Sequence, residues 1–181
     1  ERIMKGHYDR IGGARSSLRF NVRGNKTVIE HPARNFEEAI SKILRLLTSP
    51  EYNVIQSLDE IGAVGHRIVQ GAEVFPTSTI VTDEVIEKID ELRELAPVHN
   101  HAHALALRAC KKVVPADVPQ AVIFDTAFHQ TMPEKAYMFG MPYEVYEKYS
   151  VRKYGFHGTS HRFVSAKYAE VTGKDIKDVK L

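Results

Sequence analysis

The sequence predicts an α/β layered domain, and three observations carry the prediction. Residues 16–31 alternate apolar and polar side chains around Gly24-Asn25, the pattern of a β-hairpin. Later stretches place apolar residues at helical spacing. Residues 120–124 form a short apolar run closed by Asp125, which suits a buried strand with its acid at the carboxyl end. Hairpin, helix, strand, helices, strand and helix in this mixed order fit layers of sheet and helix rather than a bundle or a sandwich.

In chain order, the residues before the hairpin read as a turn-like run, with Gly12-Gly13 in a loop. Because the chain begins with Glu1 rather than Met, further residues are expected upstream. Leu18, Phe20 and Val22 form the first hairpin strand, Gly24-Asn25 the turn, and residues 27–30 the return. Asn35 with Glu38 three residues later matches a capping box, and Phe36, Ile40, Ile43, Leu44 and Leu47 make one apolar stripe, so a helix runs to about Thr48. Residues 61–69 are β-like. A second helix starts near Thr82, carries Val85, Ile86, Ile89 and Leu92 on one side, and stops at Pro97. Residues 99–113 are rich in Ala and Leu and lack Gly and Pro, a helix by propensity. A last helix starts at Thr159 or Ser160, carries Phe163, Val164 and Tyr168, and ends at Gly173.

Composition narrows the class. With 43% hydrophobic and 27% charged residues the chain reads as an ordinary water-soluble globular protein, neither disordered nor membrane-spanning. Residues 1–34 hold eight Lys/Arg against three acids, yet Arg19 and Arg23 alternate with Leu18, Phe20 and Val22, as on the wet face of a half-buried strand, so neither nucleic acid nor membrane is the expected partner. The single Cys110 sits in an apolar helical stretch and reads as core filler in a reducing cytoplasm. Neither G-x-G-x-x-G nor G-x-x-x-x-G-K-[ST] occurs, which excludes the usual phosphate loops.

Three polar clusters interrupt apolar surroundings. In Gly65-His66-Arg67-Ile68-Val69 an arginine directly follows a predicted strand, where its planar guanidinium could grip a carboxylate or phosphate; a surface ion pair is the plainer reading of that residue alone. In Phe124-Asp125-Thr126-Ala127-Phe128-His129-Gln130-Thr131-Met132-Pro133 the acid at a strand end can hold Mg²⁺, orient a nucleophile or cap the next turn. In Tyr154-Gly155-Phe156-His157-Gly158-Thr159-Ser160-His161 glycines flank a histidine just before a helix, beside a natural phosphate position.

These clusters, with Leu95-Ala96-Pro97-Val98-His99-Asn100, residues 124–133, Pro142-Tyr143, Tyr146-Glu147-Lys148-Tyr149 and residues 152–161, resemble the blocks of the acetate kinase family, in order and over most of residues 60–165. The resemblance implies an actin-like ATPase fold, with a ribonuclease-H-like domain of mixed sheet flanked by helices, here incomplete at both ends. Residues 1–59 would supply a hairpin and helix and residues 60–181 the motif-bearing core, the second, nucleotide-binding domain being mostly absent. It implies that Arg67 binds the acetate carboxylate and the transferring phosphoryl group, that Asp125 is the essential acid, acting through Mg²⁺, and that His99 and His157 stabilise charge on the phosphoryl oxygens. Val69, Val98 and Phe156 would line a pocket for the methyl group. The implied partners are acetate or another short carboxylate, ATP and ADP, in a cytoplasmic homodimer.

Departures from the family pattern fall at Gln70 and Ala72, where the family reads His and Gly, and at His101 and His103, where it reads Pro and Asn. His99 and His103, four apart, would share a helix face and raise a metal site, for which no third ligand is specified nearby. The family's opening phosphate turn and its Gly-rich nucleotide loop are not in these residues, so the expectation is that they are inactive alone. The alternatives are a propionate kinase, a non-catalytic phosphate-binding homologue and a histidine-metal hydrolase.

Overall fold

The computed structural model describes residues 2–180, in two compact units: Glu1–Val64 with Ala104–Pro119, and Gly65–His103 with Gln120–Leu181.

The first unit holds an antiparallel sheet of β1 (Met4–Asp9), β2 (Ser17–Val22) and β3 (Asn25–Glu30), with β2 in the middle. Leu18, Phe20 and Val22 are buried and Arg19 exposed, the alternation that a half-buried strand requires. Val22 pairs with Asn25, so the turn is Arg23-Gly24 rather than Gly24-Asn25. Both turn residues have positive φ, +48° and +98°, as the tight hairpin turn that follows strand twist demands. β1 replaces the expected turn-like run. Its Lys5, Gly6 and His7 are all exposed, so no alternation marks it, and it is held by its ladder to β2, from Met4↔Val22 to Asp9↔Ser17.

The helix α1 (Phe36–Leu47) starts where its cap predicts: the Asn35 side chain accepts from the Glu38 N–H at 2.9 Å. The other half of the capping box shifts outward, because the Glu38 carboxylate accepts from the backbone N–H of Arg34 at 2.8 Å and from its guanidinium. The apolar side divides between two clusters. Ile43 and Leu46 pack with Leu18, Phe20 and Val22, while Ile40 and Leu44 pack with Cys110, Val114 and Val118. Cys110 is buried, and burial pushes its thiol up from the ordinary value, so it is the core filler the sequence predicts.

The second unit carries a sheet in the order β4 (Val64–Ile68), β6 (Gln120–Phe124), β5 (Thr79–Ile80). β5 runs antiparallel to β6, with Thr79 opposite Val122. At the carboxyl end of β4 the carbonyl of Ile68 accepts from the Asp125 N–H at 2.9 Å, so the ends of β4 and β6 lie side by side. Arg67 is therefore inside a strand, not after one. The helix α2 (Asp83–Glu91) is capped by Thr82, whose hydroxyl accepts from the Val85 N–H, and it buries Ile86 and Ile89 before a 3₁₀ turn at Leu92–Glu94. The helix α3 (Asn100–Val113) begins at Asn100. That side chain is fully buried and satisfied: its amide donates to the carbonyls of Gln70 (2.9 Å) and Ile89 (3.1 Å) and its oxygen accepts from the Gln70 N–H.

Two short helices follow β6, α4 (Glu134–Tyr137) and α5 (Tyr143–Tyr149), before α6 (Gly158–Thr172). Arg152 anchors this stretch. Its buried guanidinium pairs with Glu73 and lies 3.5 Å from the centroid of the Tyr137 ring, while the Tyr146 hydroxyl donates to the same Glu73 at 3.0 Å. α6 begins one residue earlier than predicted and ends at Gly173, φ +67°. Its Phe163, Val164 and Val171 are exposed. Among the described residues no helix is long and apolar enough to cross a membrane.

Candidate functional site

The alternation of β4 places Ile68 in the core and Arg67 on the open face, and the carboxyl end of β6 delivers Asp125 beside it. Strand carboxyl ends are where open α/β sheets bind ligands. The Asp125 carboxylate, 2% exposed, accepts two parallel hydrogen bonds from Arg67, Nε to Oδ1 at 2.9 Å and Nη2 to Oδ2 at 2.7 Å. Burial pushes this carboxyl up, but the hydrogen bonds and charge of Arg67 outweigh it and hold Asp125 below its ordinary value. Arg67, 60% exposed, keeps the rest of its guanidinium open. Its own pKa is raised by the Asp125 hydrogen bonds, so it stays charged.

His157 completes the cluster. Arg67 Nη2 lies 3.0 Å from its Nδ1, and since a guanidinium only donates, Nδ1 accepts and the neutral ring carries its proton on Nε2. The backbone there is left-handed, φ +53°, in a residue that has a Cβ. Tight packing around it explains how that conformation persists. The Gly158 N–H donates to the Asp125 carbonyl at 2.9 Å. A Cβ on Gly158 would collide with that carbonyl and lie 2.7 Å from the Phe128 Cβ, so only glycine lets the start of α6 approach the end of β6.

A cavity of about 670 Å³ opens onto this cluster. Arg67, Asp125, His99 and His157 line it together with Val69, Val98 and Phe156, so all seven residues singled out from the sequence converge on one space. Leu95 and Pro97 extend the apolar wall, and Val98 is 80% exposed. Such a cavity offers a fixed cation and imidazoles to a small anion, and an apolar wall to a short tail.

His103, noted in the sequence as a departure from the family pattern and as a metal candidate with His99, also lines the cavity. Its ring lies 6.4 Å from that of His99, and its Nε2 is buried without a hydrogen-bond partner among the described residues. Burial, then the neighbouring His99 and Arg67, lower its pKa, which leaves it neutral. No third ligand joins the pair: among the described residues no three His, Cys, Asp or Glu side chains are grouped as for a metal ion. Gln70, the family-departing residue, is buried, and its side-chain oxygen accepts from the Ala72 N–H at 2.8 Å.

A profile of the acetokinase family matches residues 1–181. The chain is 49% identical over 180 residues to "Acetate kinase 2" of Clostridium perfringens, covering 99% of this chain and 45% of that protein. Its structure resembles that of Porphyromonas gingivalis acetate kinase with a TM-score of 0.89 at 42% identity, over 96% of this chain and 44% of the other. A propionate kinase from Francisella tularensis matches with a TM-score of 0.87 at 33% identity, over 97% of this chain and 44% of the other. The chain thus spans less than half the length of these relatives, and it shares their actin-like ATPase fold over that part.

Proposed function

The chain belongs to the acetokinase family, and from that premise we propose that the protein carrying it transfers the γ-phosphoryl group of ATP reversibly to acetate, giving acetyl phosphate and ADP. The observation that carries the reading is the convergence of Arg67, Asp125, His99 and His157 on one cavity with an apolar wall. A carboxylate oxygen attacks the γ-phosphorus while the bond to the β-phosphate oxygen breaks. Acetate is already ionised at neutral pH, so the reaction needs no general base. What it needs is in-line positioning and stabilisation of charge on the phosphoryl oxygens.

Arg67 grips the carboxylate and the phosphoryl group, His157 donates through Nε2, and His99 adds a second donor. Val69, Val98 and Phe156 receive the methyl group. Asp125 orients Arg67. Both of its oxygens are committed to that guanidinium, and its low pKa makes it a poor proton acceptor. Mg²⁺ arriving with ATP would neutralise phosphate charge, with Asp125 as the acid facing it, and among the described residues no cage of acids is grouped for a metal ion. The nucleotide site belongs to the part of the relatives' length that this chain does not span, and the protein is read as a cytoplasmic homodimer.

Propionate is the competing acceptor, favoured by the likeness to a propionate kinase and by the exposed Val98. One methylene is worth only about 1–3 kcal/mol of discrimination. The test is hydroxylamine trapping of acyl phosphate from ATP and Mg²⁺, with acetate or propionate, by protein of the relatives' full length. Acetate preference is expected, and no turnover by the 181 residues alone. Absence of acyl phosphate with any short acid would overturn the reading.

A further inference from the structure

Next to the cavity, and outside its lining, the His129 Nε2 lies 3.0 Å from the carbonyl oxygen of Phe156. A carbonyl only accepts, so Nε2 carries the proton in this contact. That carbonyl belongs to the peptide joining Phe156 to His157, the residue held at φ +53°. The His129 ring also occupies the space that a Cβ on Gly155 would need, its Cγ only 2.6 Å away, so Gly155, φ +74°, has a side-chain-free backbone pressed against imidazole. Phe128 and His161 brace the ring edge-on, at 5.5 and 5.4 Å between centroids. The ring itself sits in the turn that follows Asp125, its backbone N–H bound to the Thr126 carbonyl.

We infer that His129 is a positioning residue for His157, fixing the Phe156–His157 peptide plane so that the left-handed His157 keeps its ring on Arg67. A left-handed residue with a Cβ is strained and persists only where its surroundings over-determine it. Three contacts do so here: His129 on the peptide before His157, the Asp125 carbonyl on the peptide after it, and Arg67 on its ring. His129 touches no residue assigned a chemical role through its own ring except by that peptide, so its effect travels through geometry. The inference rests on the proposed kinase reading only for its effect on turnover.

Two variants separate the hydrogen bond from packing. His129→Phe keeps a ring against Gly155 and lacks the donor, while His129→Gln keeps a donor. In protein of the relatives' full length, His129→Phe is expected to lower kcat about 10²-fold, as a misplacement near 1 Å does, with the KM for acetate within about threefold of the original and His129→Gln recovering most of the loss. In the same protein the ring carbon–proton resonance of His157 is followed by NMR, where His129→Phe should move or broaden it and His129→Gln should leave it near its original position. If His129→Phe leaves both kcat and the His157 resonance unchanged, the inference is wrong. Should the unsubstituted protein make no acyl phosphate, the kinase reading fails, and the NMR comparison still decides the positioning role; should a variant not fold, the other decides by the same resonance.

Discussion

Arg67 and Asp125, 58 positions apart, meet through two parallel hydrogen bonds at 2.9 and 2.7 Å, and the acid in that pair is shut off from solvent while the base is not. Removing the base strands a buried carboxylate. A wholly buried pair broken this way costs about 3–5 kcal/mol, and exposure of Arg67 reduces the expected loss for Arg67→Ala to about 1–2 kcal/mol. The folded-state pKa of Asp125 is depressed, so its stabilisation is present above the unfolded carboxyl value and is lost as pH falls through the folded one. Urea unfolding of the two proteins should therefore differ most at neutral pH and converge below the ordinary carboxylate range. A gap that stays constant with pH would contradict the pairing.

Ala72 sits at φ +47° with its side chain buried, a conformation glycine adopts freely. Relief of that strain exceeds the extra entropy glycine loses on folding, so Ala72→Gly should stabilise by about 0.5–1 kcal/mol. Urea midpoints measure it, and a destabilised variant would show that the buried methyl contributes more than the strain costs.

Glycines divide by the space around them. Gly158→Ala drives a methyl into the Asp125 carbonyl and Phe128, and Gly71→Ala puts one 2.7 Å from the Phe124 ring, whereas Gly62 has nothing within 4 Å. The first two should cost about 1–3 kcal/mol or more by overpacking, and Gly62→Ala should lie within about 0.5 kcal/mol of the original or above it. Equal melting temperatures for all three would refute the close approach of α6 to β6.

His103 is neutral in the folded chain because burial and nearby His99 and Arg67 lower its pKa. Unfolding lets it take up a proton at its ordinary value, so its stabilisation is complete above about pH 6.5 and declines as pH falls below. His103→Asn removes that term. Between pH 7.5 and 5.5 the original chain should lose more melting temperature than the variant, and parallel curves would place His103 in solvent.

The hairpin, α1 and β6 were legible because each buries one face and therefore writes its period into the sequence. α1 also announces its start through Asn35, and β6 its end through Asp125. β1 was not legible, since Lys5, Gly6 and His7 carry no apolar alternation and its stability comes from pairing with β2. The short α4 and α5 are held by Arg152, which stacks on Tyr137 and grips Glu73, a residue about eighty positions away that no local pattern encodes. For the site, the polar clusters at Arg67, Asp125 and His157 stood out because charged and glycine-flanked residues interrupt apolar surroundings. His103 and His129 lie in stretches the sequence marks, but their particular contacts were not legible, since these depend on what the fold sets against them: an empty-handed Nε2 in one case and the Phe156 carbonyl in the other.

In the proposed reaction Arg67 is the cation that receives both carboxylate and phosphoryl group. Acetyl phosphate formation by full-length protein should fall about 10²–10³-fold or more in kcat/KM for acetate in Arg67→Ala, the scale of losing a preorganised charge donor. Arg162→Ala, in a separate cavity beside Thr159, should leave the rate unchanged. An Arg67→Ala enzyme whose kcat/KM for acetate stays within about threefold of the original would contradict the account.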